Sequence, residues 1–155
     1  MGNYTNIETD FIERTIRLID QYNELIADHN FEEQLNYTLT INCLLGLIVM
    51  PKERVITFIP NDLLTDAYKN DLGFLHSEIG AGITRFRDFI HQLRNSVAHF
   101  QIEVESENDE FLVDYLVFRD INGQLVARIK ATEMVPFLRF YCQLLLQNLQ
   151  RRNGT

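Results

Sequence analysis

A chain of 155 residues is long enough for one domain with a real core and too short for two comfortable ones, so 1–155 reads as a single domain. Hydrophobic residues at 46% and charged ones at 23% exclude a disordered chain. The net charge of −8 argues against a protein that coats nucleic acid by general attraction to phosphate, yet leaves room for a local basic site. The N-terminus carries no basic region followed by an apolar segment. The longest apolar run, Leu44 to Met50 with Gly46 inside it, falls far below the roughly 20 residues that span a bilayer. A cytoplasmic protein with no membrane partner is expected. Cys43 and Cys142 each lie in an apolar stretch and read as buried, reduced thiols.

The first helix shows Phe11, Thr15, Leu18, Tyr22 and Leu25 at spacings of four and three, with Ile12, Ile19 and Ile26 widening the stripe. Asp10 followed by Glu13 reads as its capping box. A second helix opens the same way at Asn30 with Glu33, runs through Leu35, Leu39 and Cys43 to Met50, and stops at Pro51. Residues 51–82 are harder to read. Pro60-Asn61-Asp62 forms a turn ahead of a short helix from Leu63 to Tyr68, and Gly80-Ala81-Gly82 separates it from a third long helix over about Ile83 to Phe100. Ile102 and Val104 then alternate with polar residues as a strand does, and a second strand covers Phe111 to Arg119. Asn122-Gly123 reads as a two-residue hairpin turn into a third strand through Leu125, Ala127 and Ile129. The last helix starts at Thr132, with Pro136 tolerated in its first turn, and continues through Leu138, Tyr141, Leu145 and Leu149 to a basic end at Arg151 and Arg152. The expected fold is mostly α with a small β insertion. It is a four-helix up-and-down bundle with an antiparallel hairpin or meander, about 101–130, before the last helix.

On the third long helix, Ile90, Leu93, Val97 and Phe100 fall within about 40° of Phe86 at 100° per residue, and this is its core stripe. His91, Asn95, Asp88 and His99 occupy the far side. Arg94 sits on the flank, about 140° around from His99, so one helix poorly converges the two on one small target. A second copy packed across a two-fold axis removes the difficulty, and Ala98, between Arg94 and Asn95 on the wheel, permits close contact there.

The string Leu93-Arg94-Asn95-Ser96-Val97-Ala98-His99 resembles the signature of the HEPN family, an arginine and a polar residue followed by a histidine. In that family the motif lies on the third helix of a four-helix bundle, which is where it falls here. Residues 41–53, from Ile41 to Glu53, look more loosely like a HEPN subgroup found on plasmids and in defence loci. The resemblance implies a metal-independent endoribonuclease acting as a homodimer with both motifs lining one composite cleft, in a toxin or anti-phage defence role, with RNA as substrate and a cognate antitoxin or regulator as a further partner. One HEPN toxin class has a modifiable tyrosine two residues after the histidine. Gln101 stands there in this chain, so silencing by that route is not implied.

The residue types suit that chemistry. Internal attack by a 2′-hydroxyl needs a group that moves a proton near neutral pH, and His99 is the candidate. Arg94 supplies a guanidinium fork to the developing phosphorane, and Asn95 orients the imidazole or holds a phosphate oxygen. Arg85, Arg87 and His91 on the same helix are secondary RNA-binding candidates. His91 and His99 share a face eight residues apart but have no third ligand at helical spacing, so neither metal nor cofactor is expected. Two readings stay open beside this one. Arg94 pairs with Asp88 or another acid and His99 is an ordinary histidine, or the chain is a catalytically inactive HEPN module that binds a protein partner, RNA or nucleotide. The acidic stretch Glu103, Glu105, Glu107, Asp109, Glu110 and Asp114 reads as a charged strand edge protected from aggregation, or as a docking surface for a basic partner.

Overall fold

Asn6, not Asp10, caps the first helix: its Oδ1 accepts from the N–H of Glu8 (3.0 Å) and Thr9 (3.3 Å). The Asp10 carboxylate reaches back to accept from the N–H of Thr5 and Asn6. Helix α1 therefore runs Ile7–Leu25. This is a computed structural model, and it describes residues 4–30, 33–49, 59–107 and 113–153.

Two apolar stripes overlap on α1, and the core takes the one centred on Ile12, Thr15 and Ile19. Leu18 and Leu25, read as core from their spacing, are exposed. The buried Thr15 hydroxyl is satisfied by donating to the Phe11 carbonyl at 2.7 Å. Helix α2 spans Asn36–Val49, starting six residues later than Asn30 suggested. Leu35 is exposed ahead of it, and its N–H donates to the Tyr22 hydroxyl. The expected end of this helix at Met50 and Pro51 lies outside the described residues. A Cβ at Gly46 would stand 2.9 Å from the Phe11 ring, so glycine is what lets α1 approach α2 there.

The short helix α3 is Asp66–Asp71, capped by Thr65 and shifted from the expected Leu63–Tyr68 because Leu63 instead bridges to Arg85. Strand β1 (Glu78–Ile79) is too brief to display an alternating pattern, and the sequence reading missed it. Helix α4 (Phe86–Ala98) carries the motif and buries Phe86, Phe89, Ile90, Leu93, Ser96 and Val97. Strands β2 (Ile102–Glu105), β3 (Tyr115–Arg119) and β4 (Leu125–Lys130) follow, and a 3-10 turn at Ala131–Glu133 leads into α5 (Met134–Asn153), with Pro136 in its first turn as expected. The early part of the expected second strand, at Phe111 and Leu112, lies outside the described residues.

All strand pairs are antiparallel, in the order β1-β4-β3-β2. The expected meander is thus present with a fourth strand added at the β4 edge. Gly80 makes this docking possible, since a Cβ there would sit 2.0 Å from the Leu125 carbonyl oxygen. The turn between β3 and β4 has three residues, not two, inside its closing Asp120–Gln124 pair. Asp120 N–H bonds the Gln124 carbonyl across Ile121, Asn122 and Gly123, and Gly123 takes a φ of 77°. The chain is mostly helical with a small antiparallel sheet. Helix α1 packs on α2 and α5, α2 also packs on α4 and α5, and α4 lies on β3 and β4. Among the described residues no helix is long and apolar enough to cross a membrane.

Cys43 and Cys142 are buried free thiols, as read from the sequence. Burial first, and then the neighbouring Cys43, push the Cys142 thiol from 9.0 up to about 12, with Arg139 opposing. The folded state therefore holds that proton more tightly than the unfolded chain does. Its contribution to stability is present below 9.0 and is lost as pH rises through about 12. Native protein in mildly alkaline buffer should resist alkylation by iodoacetamide at Cys142 and react fully once unfolded. Native-state labelling at the rate of a free cysteine would contradict this packing.

Candidate functional site

Helix α4 ends one residue before the motif histidine. His99 is the C-cap, with φ −96° and ψ 6°, and Phe100 beyond it adopts φ 52°, the left-handed region that glycine normally fills. Phe100 N–H donates to the Val97 carbonyl at 3.1 Å and Gln101 N–H to the Ser96 carbonyl at 2.7 Å, which is the Schellman pattern of helix termination. The reversal turns Phe100 outward, where it is 73% exposed, so the expected last residue of the core stripe is not core. It also starts β2 at Ile102 and leaves His99 exposed at the helix end.

Asn95 and His99 line one cleft of about 220 Å³ between the end of α4 and the β3–β4 hairpin. Gln92, Ser96, Gln101, Arg119, Asp120 and Ile121 complete its walls. Arg94 is not among them. It is half-buried on the flank of α4 that faces α5, close enough for its charge to act on the Tyr141 phenol. Burial and then Cys142 raise that phenol's pKa, and Arg94 works in the opposite sense. The divergence expected from the helical wheel is thus seen in the fold: one chain brings Asn95 and His99 together and leaves Arg94 apart. Arg94 makes neither hydrogen bond nor ion pair with any described residue, Asp88 included, and the side chains of Asn95 and His99 are likewise without such partners.

The secondary candidates divide. Arg87 donates through Nε to the Ile59 carbonyl and Arg85 through Nη1 to the Asn61 carbonyl, both at 2.9 Å, so each ties the segment before α3 to the start of α4. His91 is exposed on α4 one turn from Asn95. Among the described residues no three of His, Cys, Asp and Glu gather into a group that could hold a metal.

Sequence reasoning missed the hairpin wall. Arg119, read only as the end of a strand, donates through Nε to Glu103 at 3.0 Å and through Nη1 to the Gly123 carbonyl at 3.3 Å. The hairpin signal was legible, but its place beside the end of α4 comes from long-range contacts, such as Arg119 N–H to the carbonyl of Gln101 just past that helix. Much of the acidic stretch is answered internally. Glu105 and Glu107 pair with Arg128 at 2.7 and 3.5 Å, Glu103 pairs with Arg119, and the Arg128 guanidinium also stacks over Tyr115. Asp114 accepts from the Glu107 N–H at 2.7 Å, and Asp109 and Glu110 lie outside the described residues.

A family model described as HEPN pEK499 p136 matches residues 1–152. No curated protein and no solved structure matches the chain. With nearly its whole length accounted for by that one model, the chain belongs to the HEPN family, in its plasmid-associated pEK499 p136 subgroup.

Proposed function

We propose that this protein is a metal-independent endoribonuclease that acts as a homodimer in a toxin or anti-phage defence role, held in check by a cognate antitoxin or regulator. The observation that carries the reading is a HEPN chain whose Arg94, Asn95 and His99 are all uncommitted to other described side chains. Side chains kept polar and unpaired at one helix end are available to a ligand. The long helices would form the up-and-down bundle that the resemblance implies, with α4 facing α4 of a second copy across the exposed, small Ala98.

In that arrangement Arg94 of one copy meets His99 of the other. The His99 imidazole takes the proton from a ribose 2′-hydroxyl as its oxygen bonds to the adjacent phosphorus. The bond from phosphorus to the 5′-oxygen breaks, and that oxygen leaves with a proton from an imidazolium. The products are a 2′,3′-cyclic phosphate and a 5′-hydroxyl. Arg94 stabilises the charge on the equatorial oxygens with parallel N–H donors, and the uncommitted Asn95 amide, one turn away, holds a phosphate oxygen.

Purified protein incubated with total RNA in EDTA should produce fragments with those two end groups. Activity lost on chelation would refute the metal-independent mechanism. No cleavage of any RNA would leave a HEPN module that only binds.

A further inference from the structure

The cleft beside His99 is built by the hairpin, and its chemistry differs from that of a phosphate site. Arg119 is neutralised by Glu103 at 3.0 Å, and Asp120 adds a carboxylate on the same wall. The balance at this hairpin wall is therefore negative and keeps a phosphate off that wall, leaving the His99 side of the cleft for it. The lining also includes three amide residues, Gln92, Asn95 and Gln101. Walls of this kind suit a neutral, planar ligand rich in hydrogen-bonding groups, and the cleft volume of about 220 Å³ accommodates one ring system of that sort.

We infer that this cleft holds an unstacked guanine base of single-stranded RNA, placing the neighbouring phosphate at His99; the inference rests on the ribonuclease reading above. The Asp120 carboxylate is fixed by the turn. Its Oδ1 accepts from the N–H of Asn122 and of Gln124, both at 2.8 Å, which leaves Oδ2 as an acceptor. Next to it Arg119 spends Nε and one Nη1 hydrogen on Glu103 and Gly123, and its Nη2 donors stay open. A carboxylate beside a guanidinium complements guanine, whose N1–H and N2 amino group donate and whose O6 and N7 accept. Adenine offers no imino donor beside its amino group, and each pyrimidine offers one donor where guanine offers a pair. Ile121 at the hairpin tip is 81% exposed and supplies an apolar surface for the face of the base. Because the turn already holds both polar groups in place, little ordering remains to be done on binding. Single-stranded RNA is recognised in this manner, by splayed bases read along their edges.

The test titrates the full chain with guanosine, adenosine, cytidine and uridine at millimolar concentrations, followed by amide NMR. Guanosine should bind about tenfold tighter than the other three and shift the amides of residues 119–124 together with those of Asn95 and His99. Asp120→Asn keeps Oδ1 for the turn and replaces the free acceptor with a donor. It should erase the preference for guanosine while the Asn122 and Gln124 amides stay protected. In the RNA arm, wild-type cuts should fall next to guanines, and Asp120→Asn should lower kcat/KM at those sites about tenfold. Equal binding of the four nucleosides, no binding of any, or unchanged preference in Asp120→Asn would overturn the inference. RNA cut without base preference would overturn it and leave the ribonuclease reading standing. Selective guanosine binding that Asp120→Asn abolishes, with no RNA cleaved, would support the pocket and sink the ribonuclease reading.

Discussion

His99→Ala is expected to slow RNA cleavage by about 10²-fold or more, the range for removing a proton-transfer group, with the melting temperature almost unmoved. The stability half of this expectation follows from where the side chain lies. His99 is an exposed C-cap whose backbone N–H donates to the Asn95 carbonyl and whose side chain bonds no described residue. The packing of α4 is carried by Phe86, Phe89, Ile90, Leu93 and Val97, all buried and untouched by the change. Surface substitutions of this kind stay within about 0.5 kcal/mol. Arg94→Ala should reduce cleavage by a similar factor through lost charge stabilisation. His91→Ala, exposed on α4 outside the motif, should cost much less. Steady-state kinetics beside thermal melts separate the two effects. A His99→Ala protein that unfolds yet still cleaves RNA would return the histidine to a structural role.

Glu133→Ala carries the largest expected cost in stability, about 4 kcal/mol. Glu133 is 7% exposed, in the 3-10 turn before α5, and its carboxylate gathers the whole 75–77 segment. It accepts from the N–H of Leu75 at 3.2 Å, of His76 at 2.9 Å and of Ser77 at 3.1 Å, and from the Ser77 hydroxyl at 2.6 Å. That hydroxyl oxygen in turn accepts from Lys130 N–H at 2.9 Å, which links the segment to β4. Truncation would leave several partly buried donors without an acceptor, and each such loss costs about 1–3 kcal/mol. Glu133→Gln should lie between, since it keeps one acceptor oxygen and turns an amide NH2 donor against the remaining donors. Urea unfolding should show the midpoint falling with the slope unchanged. A shift below about 1 kcal/mol would mean that water replaces the carboxylate at little cost.

What was legible in the sequence is what local periodicity encodes. The apolar spacing from Phe86 to Val97 on α4 and from Leu138 to Leu149 on α5 marked the faces that are in fact buried, while Phe100, expected to extend the first, is exposed. The alternation at Ile102 and Val104 marked a real strand. Where two local patterns competed, long-range packing chose between them. On α1 both Phe11–Leu18–Leu25 and Ile12–Ile19–Ile26 satisfy a helical stripe, and only contact with α2 and α5 favours the second. Asn6 and Asp10 are both eligible caps, and the earlier one closes the helix. Strand β1, with two residues, has no period to detect, and Phe100 in a left-handed conformation violates the rule that would have marked the helix end with glycine. The site divides the same way. The separation of Arg94 from His99 follows from 100° per residue alone, whereas the cleft wall of Arg119, Asp120 and Ile121 depends on how a hairpin docks, which no local pattern states.

Mixing two inactive variants puts the central claim to the most direct trial. Arg94→Ala and His99→Ala proteins are each assayed on RNA in EDTA, then mixed under conditions that let subunits exchange, and assayed again. If the working site takes its arginine from one copy and its histidine from the other, a mixed dimer contains one intact site. The mixture should then recover roughly a quarter of wild-type activity, since half of the dimers are mixed and each has one of two sites restored. A mixture as inactive as its components, with subunit exchange verified, would contradict an active site shared between two chains.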